Sequence, residues 1–231
     1  MPRVRQFAPD RGQICLMIGV LGGTFDPIHL GHVEPARDLL QVLPLREIRF
    51  VLARIPPHRN PPLASAMHRW RMLQLALHDH PELVADDREL RRAGLSYTVD
   101  TLGELRTESS EALCLIVGMD AFANLTTWHR WQDILRLAHI VIIPRPGALL
   151  PTTGAAADLL KERRCDSPEA LTELVCGGIL PQTVRSFDIS ATAIRAGIAA
   201  GKDVSAMLAS PVWRYIREHG LYTATSDEAA V

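Results

Sequence analysis

The sequence predicts an α/β fold: a mostly parallel sheet with helices on both faces and a small C-terminal helical part. Three observations carry this prediction. The run Cys15 to Leu21 is short, apolar on both faces and stopped by Gly22-Gly23, as a strand buried on both sides of a sheet would be. From Leu30 onward, apolar residues recur at helical spacing through Val33, Ala36, Leu39, Leu40 and Leu43. Farther on, the strand-like runs Ala112–Val117 and His139–Ile143 alternate with further helical patterns, which is how βαβ units are written.

A chain of 231 residues is long enough for one large domain, here expected over 14–222. Residues 1–13 are polar and proline-interrupted and read as a disordered, dispensable extension. After the first helix, Pro44 breaks the pattern and Glu47–Arg54 alternates as a second strand. It leads into the proline-rich segment Ile55–Pro62, which suits neither a helix nor a central strand. Ser65 caps a predicted helix to His80, with Met67, Trp70, Leu73, Leu75 and Leu77 as its apolar face and Met67 and Trp70 as core. A short strand follows at Leu83–Ala85, and the charged run Asp86–Arg92 reads as a solvated loop.

Ser96-Tyr97-Thr98 opens a helix through Val99, Leu102 and Leu105, with Ser96 a cap on composition alone. Asp120, just past the Ala112–Val117 strand, is placed to cap the next helix. Thr126–Trp131 leaves helical patterning, with Trp131 read as plugging the core edge, and Ile134–Ala138 completes a helix. The stretch 149–178 reads as a surface excursion with one or two helices. Thr183–Phe187 is predicted as a strand, Ser190 as the start of a helix, and Pro211–His219 as a last helix closed by Gly220. Residues 223–231 read as a disordered tail.

Lys and Arg number 25 against 26 Asp and Glu, so the net charge of −1 offers no general attraction to nucleic acid or an anionic membrane. Small molecules are the expected partners, with self-association left open. The four cysteines have no CxxC spacing and read as buried thiols of a reducing compartment rather than a zinc site. Neither a membrane-spanning run nor a signal-peptide core is present in the sequence, so a cytoplasmic location is expected.

The chemistry centres on GGTFDPIHLGH, residues 22–32. Strand, glycine loop and helix N-terminus in series offer unpaired N–H groups and a partial positive charge to a phosphate. His29 and His32 stand at that terminus, where imidazoles can donate hydrogen bonds to phosphate oxygens and stabilise charge on a leaving pyrophosphate. The sequence contains no GxxxxGK[ST] loop, and its glycines do not match GxGxxG, so transfer at a nucleotide's α-phosphate fits better than γ-phosphate hydrolysis or hydride transfer. His58 and Arg59 are held by prolines at a strand's C-terminal end, where open α/β folds bind ligands. Tyr97 and Thr98 lie at a helix start suited to an anion, and Asp120 can accept from a ribose or an adenine amino group. Arg145 is pre-placed between two prolines for bidentate phosphate binding. Ser190 and Thr192 can present hydroxyl and N–H groups to the same kind of anion, with Arg195 one turn on.

The string GGTFDPIHLGH resembles the HxGH signature of the nucleotidyltransferase superfamily, and in its longer form it is similar to the bacterial nicotinate mononucleotide adenylyltransferases. The remaining motifs follow in family order, PPHR, SYT, GMD, TW, RPG and ISATAIR, so the resemblance covers Met17 to Tyr222. It implies a Rossmann-like nucleotidyltransferase that joins ATP to nicotinate mononucleotide, giving nicotinate adenine dinucleotide and pyrophosphate, with Mg²⁺ accompanying the ATP. It also implies that His29, His32 and Arg195 are catalytic, and that Gly22, Gly23, Thr24, Phe25, Gly118, Asp120, Ser190 and Thr192 join them in holding ATP. By the same resemblance His58, Arg59, Tyr97, Thr98, Trp128 and Arg145 bind the mononucleotide, Trp128 by stacking on the pyridine ring. Family members often carry RRPG where this chain has Pro144, so only Arg145 is carried over. Nicotinamide mononucleotide and phosphopantetheine are alternative acceptors. An aminoacyl-tRNA synthetase is disfavoured by the short chain and the lack of KMSKS, and a non-enzymatic nucleotide sensor would need a broken catalytic element, which the sequence does not contain.

Overall fold

Strands and helices alternate along the chain much as its apolar runs do. The computed structural model describes residues 16–56, 61–144 and 150–223. In order these form β1 (Met17–Gly23), α1 (Leu30–Val42), β2 (Leu45–Leu52), α2 (Ala66–Leu77), β3 (Leu83–Asp86), α3 (Arg88–Arg91), α4 (Thr98–Glu108) and β4 (Ala112–Gly118). Then come α5 (Met119–Ala123), α6 (Trp131–Leu137), β5 (His139–Ile143), α7 (Ala155–Arg163), α8 (Pro168–Thr172), β6 (Ile179–Pro181), α9 (Ala191–Ala199) and α10 (Ser210–Glu218). Short 3₁₀ turns occupy Leu125–Thr127 and Ser205–Met207. Hydrogen bonding orders the sheet β3-β2-β1-β4-β5-β6, so the chain runs outward from β1 to one edge and returns to build the other, the α/β arrangement expected. The pairs β1–β4, β4–β5 and β5–β6 are parallel, with Met17 opposite Ala112 and Cys114 opposite His139.

Contacts group the chain into two compact units. One holds the chain up to Leu21, Leu39–Ile48 and Thr98–Val184. Its core includes Met17, Ile18, Ile48, Leu102, Leu113, Cys114, Phe122 and Ile140, all shielded from solvent. A Cβ on Gly19 would lie 2.8 Å from Ile48 Cγ1 and 3.0 Å from Ile116 Cδ1, so β1 tolerates no side chain at that point. The other unit holds Gly22–Asp38, Arg49–Tyr97 and the chain from Arg185 on. Ile28, Phe50, Leu52, Met72, Leu73, Ile194, Val212 and Ile216 fill it.

Several expectations are corrected. Met67 is 71% exposed and Trp70 only half-buried; Arg69, Met72, Leu73, Ala76 and Leu77 form the buried face of α2 instead. The run Asp86–Arg92 is not a solvated loop: Asp86, Arg88 and Glu89 are buried, and Arg88–Arg91 is helical. Asp86 accepts from Arg88 Nε at 2.9 Å and Nη2 at 2.8 Å and lies 3.5 Å from Arg49 Nη1. Burial works against this carboxylate's charge, but the Arg88 hydrogen bonds and the two guanidinium charges prevail and hold its pKa below the ordinary value.

Ser96 caps no helix. Its hydroxyl accepts from Arg54 N and Ile55 N, tying the chain before α4 to the chain after β2. Gly118, not Asp120, is the N-cap residue of α5, and Trp131 opens α6 rather than ending a loop. Thr183–Phe187 is irregular, the strand being Ile179–Pro181. The ladder runs one bond further, from Gln182 N to Ile142 O, after which Arg185 is taken by the carboxylate of Asp38 through its backbone N–H and guanidinium. The two helices of the 149–178 excursion are α7 and α8, the latter capped by Ser167. Cys114 and Cys165 are buried thiols and Cys176 is half-buried; Cys15 lies outside the described residues.

His139 is a fully buried imidazole on β5 whose Nδ1 accepts from Gly178 N at 3.2 Å. Burial, aided by the nearby Arg106 charge, lowers its pKa from 6.5 to about 4. Between those values the unfolded chain takes up a proton that the folded chain refuses. His139 therefore costs nothing above about pH 7 and lowers stability as the pH falls, by about 2 kcal/mol between pH 7 and 5. Urea unfolding of the wild type and of His139→Leu across this range should show a smaller pH-dependent loss in the variant; equal losses would show that His139 is not the group responsible.

Candidate active site

The loop between β1 and α1 is pinned by two buried charged side chains. Asp26, 6% exposed, accepts from Leu63 N at 2.7 Å through Oδ2, and from Ala64 N at 3.1 Å and Tyr222 Oη at 2.6 Å through Oδ1. Arg69, 1% exposed, donates to the carbonyls of Thr24 and Ala53, each at 2.8 Å, and of Ala64 and Arg54, each at 3.2 Å. Burial disfavours the Arg69 charge, which the Asp26 carboxylate partly offsets. Ala53 N donates to Gly23 O, closing the same loop against the end of β2. Phe25 takes a left-handed conformation at φ 46° and is buried, its ring edge-on to His32 and against Phe50. A Cβ on Gly23 would fall 2.6 Å from that ring, so the second glycine makes room for Phe25.

His29 and His32 close the entry to α1 between them. His29 O accepts from His32 N and Val33 N, while His29 N donates to His32 Nδ1 at 3.3 Å. A neutral His32 therefore carries its proton on Nε2. The two rings stack with centroids 3.7 Å apart. His29 is 6% exposed, and its Nδ1 is buried without a hydrogen-bond partner among the described residues. Burial lowers its pKa from 6.5 to about 4, so it is neutral at physiological pH. Gly31 leaves room for this ring: a Cβ there would stand 3.0 Å from His29 Nδ1 and 3.4 Å from Ile189 Cβ.

The second phosphate motif meets the first here. Ser190 caps α9, accepting from Ala193 N at 3.1 Å. Arg195, one turn into α9, donates to Asp26 O at 2.7 Å and to Thr192 Oγ1 at 3.3 Å. Two of its five N–H groups are engaged in these bonds, which hold the guanidinium against the loop. Gly22, Gly23, Thr24, Phe25, His29, His32, Ser190, Thr192 and Arg195 thus belong to one unit. A Cβ on Gly22 would meet nothing within 4 Å, leaving the loop's outer side open to a ligand.

Another set of expected residues lies in the other unit. Thr98 is the first residue of α4, Gly118 and Asp120 stand exposed at the start of α5, and half-buried Trp128 ends the Leu125–Thr127 turn. Asn124 Nδ2 donates to Asp120 O at 2.8 Å and Asn124 O accepts from Thr127 N, so Asp120 and Trp128 are set by one short stretch of backbone. Arg130, left-handed at φ 49°, reaches Asp100 in the first turn of α4 at 4.0 Å. Tyr97, immediately before α4, belongs instead to the unit that holds the HLGH loop. His58, Arg59 and Arg145 lie outside the described residues. Sequence reasoning missed three residues that build the loop: Asp26, which enters it only as a letter of GGTFDPIHLGH, and Arg69 and Tyr222, which no local pattern marks.

A parallel α/β sheet whose first strand delivers a pinned HxGH loop, with a capped helix returning an arginine to it, is the architecture of a nucleotidyltransferase. A family profile described as cytidylyltransferase-like matches residues 20–197. The chain belongs to that family and, within it, to the nicotinate-nucleotide adenylyltransferases. It is 45% identical over 207 residues to a "Probable nicotinate-nucleotide adenylyltransferase" of Cellvibrio japonicus, covering 89% of this chain and 98% of that protein. A protein of the same name from Halorhodospira halophila is 43% identical, covering 89% and 94%. Among solved structures, Plasmodium falciparum nicotinic acid mononucleotide adenylyltransferase complexed with NaAD matches with a TM-score of 0.67 at 17% identity, over 90% of this chain and 97% of that one, a likeness of fold.

Arg69 bonds four backbone carbonyls at once, so Arg69→Leu deprives all four of this donor. Urea denaturation at pH 7 should show a loss of about 3 kcal/mol or more. A loss under about 1 kcal/mol, the range of an ordinary surface change, would show that the loop does not depend on this side chain.

Proposed function

We propose that the chain transfers the adenylyl group of ATP to nicotinate mononucleotide, giving nicotinate adenine dinucleotide and pyrophosphate in NAD biosynthesis, in the cytoplasm. The observation that carries the reading is the direct bond from Arg195 to the backbone of the GGTFDP loop, which puts both phosphate motifs at one place. A phosphate oxygen of the mononucleotide attacks the α-phosphorus of ATP in line. The bond from that phosphorus to the bridging oxygen breaks, and pyrophosphate leaves with the electron pair. No covalent enzyme intermediate is required, so catalysis rests on positioning and charge stabilisation. His32, with Nδ1 accepting from the backbone, donates a hydrogen bond from Nε2–H to a phosphate oxygen and keeps its proton. Neutral His29 donates from the adjacent stacked ring, and Arg195, Ser190 and Thr192 hold the departing phosphates. In this reading Asp120 and Gly118 take the adenosine, Trp128 stacks on the pyridine, Tyr97 and Thr98 receive its carboxylate, and His58, Arg59 and Arg145 serve the mononucleotide.

Mg²⁺ enters as part of the substrate. Among the described residues no three His, Cys, Asp or Glu side chains gather to hold a metal, and both oxygens of Asp26 are occupied by donors. In this reading the ion arrives on the triphosphate and offsets its charge. No helix among the described residues is long and apolar enough to cross a membrane.

Pyrophosphate release with ATP and a panel of acceptors tests the reading. The nicotinate ring carries a carboxylate where nicotinamide carries a neutral amide of nearly the same shape, so electrostatics must separate them. N–H donors and the positive end of α4 favour the acid, and an amide NH₂ set against those donors leaves groups unpaired. The expected preference in kcat/KM for nicotinate mononucleotide is on the order of 10² to 10⁴. Trp128→Ala should weaken both substrates while largely preserving their ratio. Comparable values for acid and amide would overturn the donor site, and turnover only with phosphopantetheine would overturn the reading. His32→Ala should lower kcat by roughly two orders of magnitude with folding intact; near wild-type turnover would remove His32 from the mechanism.

A further inference from the structure

We propose that Tyr222, at the far C-terminal end of the fold, is a positioning residue of the transfer site: its phenol fixes Asp26 and, through the carbonyl of Asp26, the guanidinium of Arg195. The inference rests on the adenylyl-transfer reading above.

Three observations converge on it. The Tyr222 Oη–Asp26 Oδ1 bond is 2.6 Å long, the length of a charge-assisted bond from a hydroxyl to a carboxylate. Burial and the neighbouring carboxylate raise the phenol's pKa, so it remains a donor. Second, Tyr222 sits at φ 63°, a left-handed conformation unfavourable for a residue with a Cβ, and one that persists only where the surroundings enforce it. Gly220, at φ 57°, ends α10, with Gly220 N donating to Arg217 O and Leu221 N to Ile216 O; two residues later the chain bends again and directs the phenol inward. Third, the base from which Tyr222 acts is fixed. Val212 and Ile216 of α10 are buried, and Tyr215 Oη lies 2.9 Å from His68 Nδ1 on α2.

The consequence is mechanical. Asp26 is anchored at Oδ2 by one backbone N–H and at Oδ1 by another plus the phenol, and its carbonyl is the oxygen on which Arg195 rests. Ile28, fully buried, and then His29 follow two and three residues on. Without the phenol Oδ1 keeps only the longer bond from Ala64 N, and the hold on the residue whose carbonyl aims Arg195 is weakened.

A double-mutant cycle of Tyr222→Phe and Arg195→Ala, assayed well below the melting temperature, tests this. Tyr222→Phe should lower kcat about tenfold and leave KM for nicotinate mononucleotide within about twofold. In the Arg195→Ala background it should cost nothing further, because a residue that acts through Arg195 has nothing left to position. A residue that merely holds the fold together would give losses that multiply in the two backgrounds, and that result, or wild-type kcat in Tyr222→Phe, would overturn the proposal. Pyrophosphate affinity by calorimetry supplies a second cycle that needs no turnover. Tyr222→Phe should weaken it about fivefold in the wild-type background and leave it unchanged in Arg195→Ala; equal effects in both would again overturn the proposal. If wild-type protein yields no product from ATP and nicotinate mononucleotide, the functional reading fails, and the pyrophosphate cycle still decides the role of Tyr222.

Discussion

The carboxylate of Asp26 is the group on which the site depends. A buried charge of this kind is costly unless its lone pairs are met, and here two backbone amides and a phenol meet them. Those three donors come from the chain before α2 and from the segment after α10, so one side chain joins pieces of sequence far apart. Arg69 performs the complementary task, presenting donors to carbonyls at the ends of β1 and β2 and before α2. Asp26 collects N–H and O–H groups, Arg69 collects carbonyls, and the glycine loop between them is held by both. A polar network this buried is specific only when fully satisfied, so losing one member costs more than one hydrogen bond.

That order is what gives the two histidines their character. His29 is held where water is excluded and one ring nitrogen lacks a partner, while His32 is oriented by a backbone amide that fixes which nitrogen donates. Donors aimed in advance at developing phosphate charge lower a barrier without reorganising during the reaction. The buried Nδ1 of His29, without a partner among the described residues, has a cost in the folded protein.

Much of the fold was legible because its signals are local. Apolar runs marked β4 and β5 within a residue, and helical spacing located α1, α2 and α10 to within about three. The errors have a common physical source. The charged run Asp86–Arg92 reads as solvated in the sequence, yet Asp86 and Arg88 are buried because they meet their hydrogen-bonding partners inside the protein. Met67 was assigned to the core on hydrophobicity, although the face of α2 that contains Arg69 is the one turned inward. Thr183–Phe187 alternates like a strand but is irregular, with Arg185 bound to the carboxylates of Asp38 and Glu34 on α1. For the candidate site, HLGH and ISATAIR could be read as anion-binding elements because a loop and a helix cap are local structures. Their meeting through Arg195 and Asp26, and the part of Tyr222, depend on tertiary contacts across more than a hundred residues, and that of Arg69 on contacts across up to 45; none of these leaves a trace in spacing.

The central claim, that the phosphate seat is assembled and desolvated ahead of its ligand, is tested most directly by following the imidazole nitrogens of His29 and His32 by NMR as a function of pH. In the free protein His29 should titrate near 4, far below the ordinary 6.5, and its pKa should rise when inorganic pyrophosphate is added. A His29 that titrates near 6.5 in the free protein and does not respond to pyrophosphate would contradict the account.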